Sequence, residues 1–253
     1  MKNIFIILII ILFSCEKSGS IFSGLEEQTA HLSGIFYVFE GWNEFMAQDY
    51  DRAQELFLAT LLADEGSETN YYAYAYTGLG WTAIYKANRI PIDNEILKEN
   101  LRAEAIAHFE SANTVVQLRL DAGDMSSLDS LLYADVMAGR STLFYYISKV
   151  SEINNDFNDA SLSYKKMIAE SDTLLNQFPF YEFQYDININ FNFIRYHRAA
   201  SFYRLSDLET ESVEVNYLDS TIIEIGLFTD IYCDLSQIQI PACLGLASPK
   251  LNP

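Results

Sequence analysis

The chain has 253 residues, a formal net charge of −19 at pH 7 and a hydrophobic content of 50%. This acidity excludes a nucleic-acid-binding surface, which needs clustered basic side chains, and it disfavours adsorption onto anionic lipid. The length suits one domain with a substantial core or a short solenoid of repeats. Tyrosine and phenylalanine, at 17 residues each, are more numerous than a plain core needs.

The first 14 residues, MKNIFIILIIILFS, place one lysine before an unbroken apolar run from Ile4 to Phe13. A helix of about ten residues rises about 15 Å, which is half of the ~30 Å hydrocarbon core of a bilayer. Residues 1–14 are therefore predicted to be a signal peptide rather than a membrane span.

The next residues carry a second targeting feature. Leu12-Phe13-Ser14-Cys15 resembles a bacterial lipobox, in which an aliphatic residue and then a small residue precede a cysteine. The resemblance implies cleavage before Cys15 and acylation of that cysteine, and several acyl chains would anchor the protein firmly. The alternative is an ordinary signal peptide that contains a cysteine. Because Glu16 follows, and not the aspartate that favours inner-membrane retention, the predicted location is the outer membrane, facing the periplasm.

The mature chain would carry 15 basic and 35 acidic side chains, a net charge of −20, so the lipid anchor is its only predicted contact with the membrane. Residues 15–24 form the acylated cysteine and a short flexible tether that contains glycine and serine. A helical domain is predicted over residues 25–229. Residues 230–253 are predicted to be a coil tail.

Hydrophobic spacing of three and four residues predicts helices through most of the domain. The first pair of helices turns at Gln48-Asp49 and ends at Gly66. The first helix of the second pair ends before Pro91. The second is long and runs from an N-cap at Asp93 to a stop at Gly123.

A third pair begins at Ser126 or Ser127 and returns to about Gln177. Residues 180–193 then alternate apolar and polar side chains with a period of two. Because a lone strand has no partner in an all-helical chain, this segment is predicted to be an ordered, extended connection draped over the helices. A fourth pair of helices follows it.

The second helices of three pairs repeat one pattern, in which a small residue, a bulky residue and a further contact residue share one face. The three sets are Ala53, Phe57 and Thr60; Ala105, Phe109 and Ala112; and Ala160, Tyr164 and Met167. The first helices repeat a small residue in a similar way. These small residues are Gly41, Gly80, Gly139 and Ala199.

Together these patterns resemble the tetratricopeptide repeat. The resemblance implies an all-α fold, an α-solenoid or helical array of about four antiparallel helix hairpins, in which each hairpin covers the apolar face of its neighbour. The spacing from the first-helix glycine to the second-helix alanine is 12 residues in the first hairpin, but 25 in the second and 21 in the third. The connections are therefore predicted to be irregular and the array compact.

In the repeat family, the position after the small residue tends to face the concave surface. The resemblance therefore implies a ligand groove lined by Trp42, Trp81 and Arg140, which are residue types that anchor many interfaces. The alternative is that both tryptophans fill the space between hairpins.

Motifs for catalysis, metals and cofactors are absent from the sequence. His31, His108 and His197 are far apart, and neither HExxH nor GxSxG occurs. Glu110-Ser111 matches the catalytic dipeptide of helical lytic transglycosylases, but its flanks do not. We therefore predict no catalytic residue, no metal site and no cofactor. A hydrolase would need two carboxylates facing each other in a cleft.

The C-terminal tail contains Cys233 and Cys243, ten positions apart. In an oxidising envelope such a pair often closes a small loop, so it is a candidate disulfide. Two free buried thiols are the alternative.

The predicted function is that of a non-enzymatic, membrane-anchored lipoprotein scaffold that binds another protein or peptide in the bacterial cell envelope. Lipoproteins of similar length and repeat type act as assembly factors for outer-membrane proteins, which is one concrete version that the resemblance implies. The alternative is capture of an oligosaccharide on an aromatic face, as in some helical-repeat lipoproteins about twice as long. Exposed Trp or Tyr rings would favour the glycan hypothesis.

Overall fold

The computed structural model describes residues 34–63, 70–91, 93–123, 127–209, 216–228 and 244. Within these ranges the chain forms eight α-helices and no strand, which confirms the predicted all-α helical array. The helices are α1 (34–46), α2 (Tyr50–Ala63), α3 (Asn70–Arg89), α4 (Glu95–Ala122), α5 (Ser127–Ile153), α6 (Phe157–Gln177), α7 (Phe191–Leu208) and α8 (Tyr217–Phe228). None of these helices is long and apolar enough to cross a membrane. Cys15, Cys233 and Cys243 lie outside the described residues.

Short turns make neighbouring helices antiparallel. Between α1 and α2 the chain reverses at residues 47–49, where Gln48 takes a left-handed φ of 64°. Between α5 and α6 it reverses at residues 154–156, where Asn155 takes a φ of 61°. Asp156 then caps α6, because its side chain accepts a hydrogen bond of 3.2 Å from the amide of Asp159.

The long helix α4 ends where the sequence predicts. Gly123 has a φ of 70°, a conformation that glycine adopts without steric cost, and its amide bonds to the carbonyls of Arg119 and Leu120. The start differs slightly from the prediction, because Asn94 and not Asp93 is the N-cap residue. Asn94 makes no side-chain capping hydrogen bond.

The helices pack in the order in which the chain supplies them. Consecutive helices contact each other from α2 to α8, and the first helices of successive hairpins also touch, α3 with α5 and α5 with α7. The predicted contact residues of the second helices are all buried. Each hairpin therefore covers apolar surface of the next one.

One aromatic ring fills the junction between the first two hairpins. Phe57 of α2 is fully buried and lies against two glycines. A Cβ atom at Gly41 of α1 would stand 2.7 Å from its ring, and one at Gly78 of α3 would stand 2.4 Å from it. Only glycine leaves room for the ring on both helices.

Phe109 of α4 repeats this arrangement at the next junction. A Cβ atom at Gly80 of α3 would lie 2.8 Å from its ring, and one at Gly139 of α5 would lie 2.2 Å from it. Gly139 therefore faces the preceding hairpin, as Gly78 does. The sequence pattern aligns Gly139 with Gly80, and this predicted register is wrong by two residues. The residue of α5 that corresponds to Gly80 is Ser141, which is buried.

Candidate functional site

The connection between α6 and α7 is a folded segment, residues 178–190, which we call the strap. It turns back on itself, because the amide of Phe183 donates to the carbonyl of Ile189 at 2.8 Å and the amide of Phe191 donates to the carbonyl of Tyr181 at 2.8 Å. Glu182 and Asn190 form an isolated antiparallel bridge. The predicted ordered connection is present, but it is looped rather than extended throughout.

Alternate side chains of the strap point into the protein. Tyr181, Phe183 and Ile189 are buried, which agrees with the period of two in the sequence. Ile187 breaks the alternation and is 70% exposed, because it lies in the turn where the strap reverses.

The strap covers two tryptophans of the first helices. The ring of Tyr185 stacks on the indole of Trp42 in α1, with centroids 3.9 Å apart and planes 2° apart. The ring of Phe183 stacks on the indole of Trp81 in α3 at 4.8 Å and 27°. Trp42 is only 2% exposed and Trp81 is fully buried.

These contacts overturn the predicted open groove. Both tryptophans also pack within their own hairpins, Trp42 at 5.1 Å from Phe57 and Trp81 at 5.8 Å from Phe109 between ring centroids. The indoles are packing residues, as the alternative prediction expects, but their ring contacts lie within their own hairpins and under the strap rather than between hairpins.

Arg140, the third predicted groove residue, does not join the tryptophans. Its guanidinium pairs with Glu110 of α4 at 3.3 Å and with Glu170 of α6 at 2.8 Å. The different register of Gly139 accounts for this placement, because Arg140 does not occupy the position equivalent to Trp42 and Trp81. The arginine instead ties three helices together.

Two tyrosine–aspartate hydrogen bonds fasten the strap. The hydroxyl of Tyr181 donates to a carboxyl oxygen of Asp135 in α5 at 3.0 Å. The hydroxyl of Tyr85 in α3 donates to Asp186 of the strap. The strap therefore bridges α1, α3 and α5, the first helices of three successive hairpins.

Asp135 is an unusual core residue, since it is 5% exposed and its hydrogen-bond donor, Tyr181, is a neutral phenol. Burial raises the pKa of Asp135 to about 8, and the hydrogen bond from Tyr181 lowers it only in part. The carboxyl group therefore keeps its proton at neutral pH. Asp135 is not among the predicted site residues, and its only signal in the sequence is one acid inside the apolar run LLYADVMAG.

The two indole N–H groups under the strap are buried donors without an acceptor among the described residues. The Nε1 atoms of Trp42 and Trp81 are buried and have no hydrogen-bond partner among the described residues. A buried indole N–H usually finds an acceptor. The strap therefore supplies ring faces to both indoles and, among the described residues, no hydrogen-bond acceptor.

The histidines make no catalytic or metal-binding constellation in the part of the chain that is described. His197 is buried, stacks on Tyr145 at 4.1 Å, and has a pKa lowered to about 3 by burial, so it is neutral. His108 lies 3.5 Å from Glu104, and burial lowers its pKa. Among the described residues no group of three or more His, Cys, Asp or Glu could hold a metal ion.

Both side chains of the Glu110-Ser111 dipeptide make contacts with other groups of the helical array. Glu110 is half exposed and shares Arg140 with Glu170, whose pKa is raised by burial. The hydroxyl of Ser111 donates to the carbonyl of Ala107 one turn earlier.

Comparisons with known proteins found no matching family model, no matching curated protein and no matching solved structure.

Proposed function

We propose that the chain is a non-enzymatic scaffold that binds another protein, or an extended peptide from one, in the bacterial cell envelope. What supports the proposal is the strap. The first helices of three hairpins together hold a tyrosine- and phenylalanine-rich segment through alternate side chains. A surface built from successive hairpins suits an extended partner, because each hairpin adds one set of contacts.

The strongly acidic composition agrees with this proposal. A net charge of −19 keeps such a scaffold soluble and away from nucleic acid and anionic lipid. In the proposal the membrane is reached through acylated Cys15, and the domain faces the periplasm from the outer membrane.

Capture of a partner is the direct test. Mature protein would be crosslinked mildly in intact cells, purified through an affinity tag and examined by mass spectrometry. We expect one or a few envelope proteins to be enriched over a control lipoprotein of similar abundance. Recovery of the same background set with both baits would refute the scaffold function.

Anchoring is tested separately. Cells grown with a clickable fatty acid should label the wild-type protein, whereas the Cys15→Ser variant should carry no label. An unlabelled wild-type protein would show that the lipobox resemblance is misleading.

Exposed tryptophan or tyrosine rings would favour glycan capture, but Trp42 and Trp81 are buried, so the two tryptophans give that alternative no support. No described feature favours a hydrolase, because the neighbouring carboxylates of Glu110 and Glu170 share the guanidinium of Arg140 in an ion-pair bridge.

A further inference from the structure

The strap is attached to the helices beneath it by side chains. Its backbone hydrogen bonds run within the strap, as from Asp186 to Phe183 and from Ile189 to Asp186, or to the flanking helices α6 and α7. Among the described residues, none joins its backbone to the backbone of α1, α3 or α5. It is therefore held as a ligand is held, by inserted rings and a few polar contacts.

Among the described residues, the strap does not provide hydrogen-bond partners for all the buried polar groups of the helices beneath it. In the part of the chain that the structure describes, the indole N–H groups of Trp42 and Trp81 have no acceptor, and Asp135 is buried against the neutral phenol of Tyr181. Over the two indoles the strap contributes only ring faces.

We propose that the strap is an intramolecular occupant of a peptide-binding face formed by α1, α3 and α5, and that the partner's segment displaces it. The segment would be extended and carry aromatic side chains at alternate positions followed by a carboxylate, as Tyr181, Phe183, Tyr185 and Asp186 do. This inference rests on the proposed function and names the surface and the class of partner.

Because the strap occupies the face, a partner's segment must compete with it in order to bind. Because both ends of the strap are fixed to helices, its effective concentration at the face is on the order of millimolar or more. A competing segment binds only to the open fraction, so its apparent affinity is reduced by that fraction. Any change that loosens the strap should therefore strengthen the binding of a peptide in trans.

The test uses mature protein purified in detergent and a synthetic peptide, PFYEFQYDININ, which copies residues 179–190. The chain has two tryptophans, and both lie under the strap. Their emission and quenching by acrylamide therefore report whether the face is covered. A control peptide has serine in place of the three aromatic residues at positions 181, 183 and 185.

Tyr185→Ala removes the ring that covers Trp42, and Phe180→Ala is the matched control because Phe180 belongs to the same strap but is 84% exposed. We expect Tyr185→Ala to raise the quenching constant about threefold and Phe180→Ala to leave it unchanged. The peptide should restore the protection of the tryptophans in Tyr185→Ala. Its Kd for this variant should be about tenfold or more below its Kd for wild type, because the intact strap competes with the peptide. The serine peptide should have no effect.

Three results would overturn the inference. The peptide could fail to protect Tyr185→Ala although its helical circular dichroism is unchanged. The tryptophans could stay as protected in Tyr185→Ala as in wild type. The variant could also form a dimer with protected tryptophans, in which case a second copy of this chain is the occupant. If Tyr185→Ala does not fold, Tyr181→Phe replaces it, because this change removes only the hydroxyl that binds Asp135 and so loosens the strap. An unchanged peptide Kd relative to wild type would then overturn the inference.

Crosslinking of the two proteins in cells separates this inference from the proposed function. Stronger capture of one partner by Tyr185→Ala than by wild type supports both. Equal capture by both proteins retains the scaffold and refutes the strap as competitor. Capture by neither refutes the scaffold, while the peptide assay still decides what the strap does.

Discussion

The hydroxyl group of Tyr181 donates a 3.0 Å hydrogen bond to the buried carboxyl group of Asp135. This bond joins the strap to α5 in the interior. Because burial raises the pKa of Asp135 to about 8, the native protein holds a proton there that the unfolded chain, with a pKa near 3.8, releases. This residue therefore makes the stability of the fold depend on pH.

Asp135→Asn should remove that dependence. Between about pH 4 and pH 8 the native state binds more protons at this site than the unfolded state, so its contribution to the free energy of unfolding falls as pH rises and levels off above about 8. At about 1.4 kcal/mol per pKa unit, the asparagine variant should gain a few kcal/mol relative to wild type across this range. Urea denaturation at several pH values measures the difference. The exposed Asp93→Asn serves as control, and parallel curves for Asp135→Asn and wild type would contradict the prediction.

Gly139→Ala should destabilise the protein. Its new methyl group would lie 2.2 Å from the ring of Phe109, which is confined between α3 and α5. We expect a net loss of about 1–2 kcal/mol, because overpacking outweighs the gain in helix propensity. Gly226→Ala in α8 is the matched control, since nothing lies within 4 Å of its added Cβ. It should be neutral or slightly stabilising in thermal denaturation, and an equal loss in both variants would argue against the close approach.

Glu224→Gln should weaken the pairing of α7 with α8. The carboxylate of Glu224 is nearly buried and contacts Arg195 at 3.1 Å and Arg198 at 3.4 Å. Removing its charge leaves two guanidinium groups without this counterion, at a cost of about 2–4 kcal/mol. Glu110→Gln, at a half-exposed pair, should cost less than about 1 kcal/mol. Denaturant titration of both variants measures the two losses of stability. A larger loss for Glu110→Gln than for Glu224→Gln would contradict the prediction.

Tryptophan emission of the wild-type protein should be blue-shifted and poorly quenched by acrylamide. Both indoles are at most 2% exposed, and the chain contains no other tryptophan. Unfolding in urea supplies the fully quenchable reference. Red-shifted, readily quenched emission under native conditions would mean that the strap does not cover Trp42 and Trp81 in solution.

The contact faces of the second helices could be predicted from sequence because helical spacing is a local property. Ala53, Phe57 and Thr60 are all buried as their spacing indicates. The register of Gly139 could not be predicted in the same way. A small residue shows that a close approach is made, but not which neighbouring hairpin makes it.

The strap shows the same limit more clearly. Its period of two indicated which side chains face inward, but not what they face. Tyr185 stacks on Trp42, which precedes it by 143 positions, and no pattern near either residue encodes that distance. The resemblance to the repeat family predicts a groove position for Arg140, and a two-residue difference in register makes that prediction wrong.

The strap also changes how the array is expected to fold. In a linear array of repeats each unit touches only its neighbours, so stability is a sum of local terms and ends can unravel separately. Here a segment that enters α7 packs against α1, which raises the contact order and requires a long loop to close. The hairpins are thereby coupled from first to fourth, and they should unfold together in one cooperative transition rather than peel from either end.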